Sequence, residues 1–436
     1  MISAEINTEI AVLILLGVFV LLMLIRVPVA FSLFLSALAC SFYVGIDPKE
    51  LIRSMVSGLS NFTLLAIPLF ILMGEIMGSG GISDKIVKLA NAIVGRVRGG
   101  LAIVNCLASK LFGGVSGSPI ADVSSLGTIM IPMMKKQGYD EGFTVGITVA
   151  TSCQSALIPP SHNMVMYSIL AVGASVGDLF MAGLVPGVML GVIMIIYCFI
   201  AAIIKKYPLS EKMTIKERLI AIVQGVIPML TVVIILVGVS FGFFTATESA
   251  AIACLYAFIL TFFVYRKIKL VEIFGIMKRT LRTLAMVLTL IASAAAFSFV
   301  MTRLRIPDML TAFMMGVSDN KYVVYFLIVL LLLLLGTIMD MAPMILIMTP
   351  IMLPVAENFG MHPVHFGVVL IFSLTIGLCT PPVGTALFTG CAVGKISIER
   401  ASKALLPLYI PMIAALLLVT YIPAISLWLP SVISGN

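Results

Sequence analysis

Apolar residues in this chain do not alternate with polar ones but run on for whole helical spans. Crossing about 30 Å of hydrocarbon takes about 20 helical residues. Runs of that order fall at about 10–25, 27–45, 62–79, 141–173, 179–204, 219–244, 247–265, 284–302, 363–394 and 403–429. Ten crossings are therefore predicted. Three shorter amphipathic segments, 82–98, 268–283 and 303–319, suit the membrane surface better than its interior.

Two further apolar stretches, 100–134 and 321–356, are each broken midway, at Phe112-Gly-Gly-Val-Ser-Gly-Ser-Pro119 and at Gly336-Thr-Ile-Met-Asp-Met-Ala-Pro343. Basic residues favour cytoplasmic loops. Lys85, Lys88, Arg96 and Arg98 precede the first stretch and Lys135 and Lys136 follow it, so both ends are expected on the cytoplasmic side. A segment that leaves by the face it entered is a re-entrant hairpin. Five predicted crossings separate the two stretches, which places the second hairpin on the outer side. Lys205, Lys206, Lys212, Lys216 and Arg218 then share one cytoplasmic loop. Arg266, Lys267, Lys269, Lys278, Arg279 and Arg282 share another, and Lys395, Arg400 and Lys403 a third. The first apolar run follows Glu5 and Glu9 and precedes Arg26, the reverse of a signal peptide, and reads as a retained helix with its N-terminus outside.

Composition agrees with a polytopic membrane protein. Of 436 residues, 61% are hydrophobic and 11% charged, against about 25% charged in soluble domains. The excess of 27 basic over 19 acidic residues fits loops facing anionic lipid. No basic patch is interleaved with stacking aromatics, so nucleic acid is not an expected partner. The seven cysteines lie in apolar stretches and read as small hydrophobes. His362 and His365 lack further ligands apart from Glu357 and read as loop surface. No phosphate loop, zincin signature or Gly-x-Ser-x-Gly elbow occurs, which leaves enzyme chemistry without a foothold.

An internal repeat organises the chain. Gly114, Pro132, Gly138 and Pro159-Pro160 recur as Gly336, Pro354, Gly360 and Pro381-Pro382, all at an offset of 222. An odd number of crossings between repeats inverts one against the other, and inverted repeats with matched helix breaks are the pattern of secondary transporters. Four units are expected: scaffold helices and an interfacial arm at 1–99, a first transport repeat at 100–204, a linker with scaffold helices and arms at 205–320, and a second transport repeat at 321–436.

Unwound backbone survives in hydrocarbon only where it is buried or lines a cavity. Four breaks are predicted, two per repeat: the hairpin tips and the interruptions Ile158-Pro-Pro-Ser-His-Asn163 and Thr380-Pro-Pro-Val-Gly-Thr385. Opened carbonyls can hold a hard cation, and half-helix N-termini attract an anion. Gly114, Ser116, Ser118, Pro159, Gly336, Thr337, Asp340, Thr380 and Thr385 are the candidate Na⁺ ligands. Ser116, Ser161, His162, Asn163, Gly384 and Thr385 are the candidate substrate contacts. The competing reading of Gly, Ser and Thr is ordinary close packing between membrane helices. Asp340 could ligate the cation or anchor its tip, while anchoring is favoured for Asp122. Glu75 and Glu248 are expected to face neighbouring helices or a partner subunit, and Lys110 to snorkel.

FGGVSGSPIADVSSLG at 112–127, ALIPPS at 156–161, FTATESAA at 244–251 and LGTIMDMAPMILIMTPIMLP at 335–354 resemble the large membrane subunit of tripartite ATP-independent periplasmic (TRAP) transporters. The resemblance covers essentially the whole chain. It implies an all-α elevator fold of the ion-transporter superfamily, in the bacterial inner membrane and coupled to Na⁺. It also implies a small four-helix membrane subunit and a periplasmic substrate-binding protein as partners. The residues before Ile10 are too few to hold the small subunit, which is expected as a separate chain. By the same resemblance the tips and Pro-Pro loops clamp substrate and Na⁺ within a domain that moves against a scaffold. Ser161-His162-Asn163 departs from the apolar residues common after the prolines in dicarboxylate members, and points to acidic sugars such as sialic acid as the small organic anion. The alternatives are a C4-dicarboxylate or other carboxylate permease, a stand-alone dicarboxylate–sodium symporter, a membrane-embedded transferase and a structural assembly protein. The transferase would need convergent acid, base or metal residues, which the sequence does not show, and the assembly protein gives no reason for inverted broken helices.

Overall fold

A computed structural model describes residues 7–209 and 213–434. Among them the chain is helical, and the only strand-like pairing is the single bridge Arg98–Leu209. Seven helices are long and apolar enough to cross a membrane by themselves, from Phe62–Ser79 to Ile398–Tyr421. Other predicted crossings appear as shorter helices, such as Thr8–Leu24 and Val29–Val44, or as helices in pieces.

The two broken helices form the core. Residues 142–161 and 364–379 are buried without exception, as expected of segments apolar on every face. By contrast Leu13, Leu24, Ile215 and Val223 stand 60–81% exposed on outer helices, on surface suited to lipid.

Helix boundaries follow the repeat closely. Hairpin arms Pro119–Lys136 and Met341–Asn358 begin and end at the offset of 222. So do the starts of the broken helices, at Glu141 and Pro363, and of the helices Val176–Ile204 and Ile398–Tyr421. Their N-caps match too: Ser118 with Asp340, Asp140 with His362, Ser175 with Ser397. Gly138 and Gly360 both turn left-handed, at φ +84° and +82°, where a side chain would be strained. Both Pro-Pro bonds are cis.

The basic segments expected on the cytoplasmic face come together. Gly99 donates to the Pro208 carbonyl at 3.0 Å, Lys135 Nζ to the Gly394 carbonyl at 2.7 Å, and Arg400 to Glu141 at 2.8 Å. Tyr139 and Tyr207 stack at 4.3 Å beneath them, and burial pushes both phenols up to about 12. Arg279 similarly reaches Glu75 at 2.8 Å, in keeping with a Glu75 that faces a neighbouring helix.

Several expectations need correction. Segment 268–283 is not a separate surface arm but the first part of one helix, Leu270–Arg303. It holds no proline, and nothing in it stops a helix at residue 283. The run 403–429 is divided into Ile398–Tyr421 and Ala424–Ser434, at Ile422, which leaves the helical conformation immediately before Pro423. An amphipathic helix at Pro48–Leu59 joins the predicted elements. Asp47 caps it at 2.9 Å, and Ser54 fastens it to the long helix through the Ala295 carbonyl at 3.1 Å. His365 is not loop surface: it is 1% exposed and contacts Ser426 at 2.6 Å. Glu248 turns back onto its own helix in a capping box, 2.8 Å from the Thr245 amide.

Candidate functional site

At the first tip the break is narrower than the sequence suggests. The arm Gly100–Ser116 stays helical through Gly113 and Gly114, and only Gly117 and Ser118 lie outside a helix. Gly117, at φ +60°, brings the tip against the first Pro-Pro loop, where a Cβ would collide with the Pro160 carbonyl. Gly114 faces the Pro159 carbonyl, 3.3 Å from where its Cβ would be. Ser118 caps the second arm through the Ala121 amide at 3.4 Å, and the Ser116 hydroxyl lies 3.5 Å from the Ser118 amide.

A buried carboxylate braces this junction. Asp122 on the second arm accepts from Ser109 on the first arm and from Ser155 ahead of the loop, the latter at 2.5 Å. Ser109 also lies 2.9 Å from the Thr151 carbonyl. Anchoring thus describes Asp122, with hydroxyls as the donors. Ser109 and Ser155 were not foreseen, since their roles depend on contacts 13 and 33 residues from Asp122 along the chain.

The first loop leads into the helix His162–Leu170. Ser161 precedes it, fully buried, with a hydroxyl that has no hydrogen-bond partner among the described residues. His162 opens the helix half-buried, and Asn163 behind it is 3% exposed.

The second tip repeats the plan with different chemistry. Gly336 ends its arm against Leu374 and Gly377. The Thr337 carbonyl accepts from Val383 and Gly384 amides of the second loop, at 3.1 and 3.4 Å. Asp340 stands where the first repeat has Ser118, and Thr385 donates to it at 3.4 Å. The hydroxyls of Thr337 and Thr380 donate to carbonyls of their own helices, at 2.8 and 2.9 Å.

These contacts join tip to loop within each repeat. The repeats meet one step away, where Cys153 and Cys379 sulfurs approach to 3.3 Å. Tyr409 ties the second loop to Ile398–Tyr421 by donating to the Cys379 carbonyl at 2.8 Å. Thr375 in this region carries another buried hydroxyl with no hydrogen-bond partner among the described residues. Among the described residues no three His, Cys, Asp or Glu side chains converge. The junctions offer hydroxyls, carbonyls and two carboxylates, Asp340 at the second tip and Asp122, already bonded to two serines, behind the first. Oxygen donors of this kind suit a hard cation.

The model of a protein family described as the tripartite ATP-independent periplasmic transporter DctM component matches residues 16–425. An uncharacterized Salmonella typhimurium protein, YgiK, is 39% identical, covering 98% of both chains. The Vibrio cholerae sialic acid TRAP transporter large permease SiaM is 37% identical over 94% of this chain and 96% of its own. The Rhodobacter capsulatus C4-dicarboxylate TRAP transporter large permease DctM is 35% identical over 97% and 99%. The fold resembles that of the Alcanivorax borkumensis YdaH transporter, with TM-score 0.65 and 13% identity over 85% of this chain and 87% of that one. The chain therefore belongs to the DctM component family and is a large permease subunit of a TRAP transporter, a multi-pass inner-membrane protein and not an enzyme.

Proposed function

We propose that this permease imports a small organic anion by Na⁺-coupled secondary transport, with an acidic sugar such as sialic acid as the substrate class. A periplasmic binding protein delivers the anion, and a small four-helix subunit completes the membrane part. The observation that carries the reading is the pair of tip-and-loop junctions at matched positions of a repeat. Each combines unwound backbone, helix N-termini and oxygen donors.

The N-termini of His162–Leu170 and Thr385–Gly394 offer amide donors to a carboxylate, flanked by Ser161, Asn163 and Thr385. Carbonyls of Pro159 and Pro160 in one repeat, with Ser116 and Ser118, form one cation site. Thr337, Asp340, Thr380 and Thr385 form the other. Charge neutralisation then makes loading obligatory, because an unpaired charge or open backbone is costly to carry past lipid. Both junctions travel together as one transport domain, an elevator, against a scaffold that includes 1–99 and much of 205–320.

A second reading, C4-dicarboxylate uptake, is favoured by the 35% identity to a relative carrying that name. Uptake in proteoliposomes holding both membrane subunits, with candidate binding proteins added in turn, separates the two. Sialic acid uptake that rises with an inward Na⁺ gradient is expected. Uptake indifferent to the gradient would sink the Na⁺ coupling, and uptake of a C4-dicarboxylate alone would sink the sugar reading.

A further inference from the structure

We infer that a groove between the ends of Val176–Ile204 and Ile398–Tyr421 holds the headgroup of an anionic phospholipid from the cytoplasmic leaflet. The groove has a volume of about 510 Å³, within the range of small-ligand sites at roughly 300–1,000 Å³. That is room for a phosphoglycerol headgroup but not for acyl chains. Its walls are apolar, with Phe143, Ile200 and Pro407 among them, and its rim is basic, with Lys205, Arg400 and Lys403.

The three cations are not equally occupied. Arg400 bonds Glu141 at 2.8 Å and lies 3.7 Å from Asp140, and Lys403 bonds Glu399 at 2.7 Å. Lys205 has no ion pair among the described residues and rests over the Phe143 ring, 5.2 Å from its centroid. A cation on an aromatic face gains modestly, whereas a phosphate oxygen offers it a full opposite charge. Asp140, the one carboxylate in the lining, is engaged by the Phe143 amide at 2.8 Å and by Arg400.

Amphiphile geometry separates this occupant from a soluble anion. Below the rim, Ile200, Ile203 and Ile204 are 51%, 49% and 73% exposed, a track along which acyl chains can lie. The rim sits among the basic segments that the charge rule places on the cytoplasmic side, where anionic headgroups attract lysine and arginine. A lipid seated here would bridge the closing helix of the first repeat to that of the second.

The test is native mass spectrometry of the permease with its small subunit, exchanged into mixed phosphatidylglycerol and phosphatidylcholine. Selective retention of phosphatidylglycerol is expected. Lys205→Glu should reduce that retention about tenfold, as one attraction becomes a repulsion, and Lys205→Gln by less. Lys216→Glu, an exposed basic residue outside the groove, should leave it unchanged. Melting temperatures of the variants are compared, and Lys205→Gln carries the decision if Lys205→Glu unfolds. Equal retention of both lipids, or unchanged selectivity in the Lys205 variants, would overturn the assignment. So would cross-linking of the small subunit to Ile204→Cys in place of lipid.

Discussion

The two Pro-Pro loops occupy equivalent positions in the repeat yet live in different surroundings. Every residue from Thr151 to Ser161 around the first loop is buried, and Val232 of the helix Ile215–Ser240 presses on Gly114 at the tip. In the second, Pro382 and Val383 are exposed, as is Ile338 beside the tip. Their chemistry differs in the same direction. The sealed junction presents hydroxyls and carbonyls at its opening, while the open one carries a carboxylate, Asp340, where its counterpart has Ser118. A buried carboxylate needs hydrogen-bond donors: Asp122, behind the first tip, has two hydroxyls, Ser109 and Ser155, whereas Asp340 at the second tip accepts from one, Thr385. Backbone geometry is what the repeat preserves, while the place of the carboxylate differs between its halves.

The strongest way to break this comparison is Gly117→Ala. A Cβ there would meet the Pro160 carbonyl, and the left-handed backbone alone adds on the order of 1–2 kcal/mol. Na⁺-driven uptake should be lost, while Val383→Ala on the exposed loop should transport like the parent. Equal behaviour of the two variants in proteoliposomes would show that the sealed loop tolerates what the open one does.

Asp340→Ala comes next. It should abolish or strongly weaken the Na⁺ dependence of uptake while the subunits still co-purify. Ser118→Ala should cause a smaller loss, since the cap it removes is worth about 1 kcal/mol and carbonyls remain. Titrating uptake against Na⁺ for both variants checks the order, and unchanged Na⁺ dependence in both would displace the cation sites from the tips.

Accessibility sharpens the contrast further. In a background without the native cysteines, Ile338→Cys should react readily with an impermeant thiol reagent and Ser116→Cys slowly. Na⁺ with substrate should alter the rates at both. Rates that never change would favour a fixed, gated site over a moving one. Gly114 and Gly336 are poor labelling positions, because an added side chain would press on Val232 in one case and on Leu374 in the other.

The smallest effect belongs to Thr245→Ala, which removes the capping-box hydroxyl outside both junctions. A loss of about 1 kcal/mol in stability is expected, measured as a lower melting temperature with uptake near normal. A large loss of uptake would bring this helix into the transport mechanism.

Much of this arrangement could be read from the chain alone, because glycines and prolines act locally. The Pro159-Pro160 and Pro381-Pro382 pairs mark where a helix must open, whatever surrounds it, whereas Gly114 stays helical and its counterpart Gly336 ends its helix. What escaped was set by distant partners. Nothing near Ser109 announces that it will face Asp122, and His365 is buried because Ser426 and the Thr420 carbonyl come round to meet it. Exposure escaped too. The two loops read alike as sequence, and only the packing of Val232 and the neighbouring helices seals one of them. Pro48–Leu59 is too short and polar to suggest a span from sequence.

One element bears on how the permease meets bilayers of different thickness. Leu270–Arg303 runs 34 residues without interruption, about 50 Å at the α-helical rise, well beyond the hydrocarbon depth of about 30 Å. It is fastened in its third turn through Arg279 to Glu75 and at its C-terminal end through Arg303 to Glu50. A continuous helix cannot shorten, so in a thinner membrane it must tilt, and its tethered neighbours must tilt with it. The helix is in that sense a gauge, translating membrane thickness into the angle at which the rest of the protein stands.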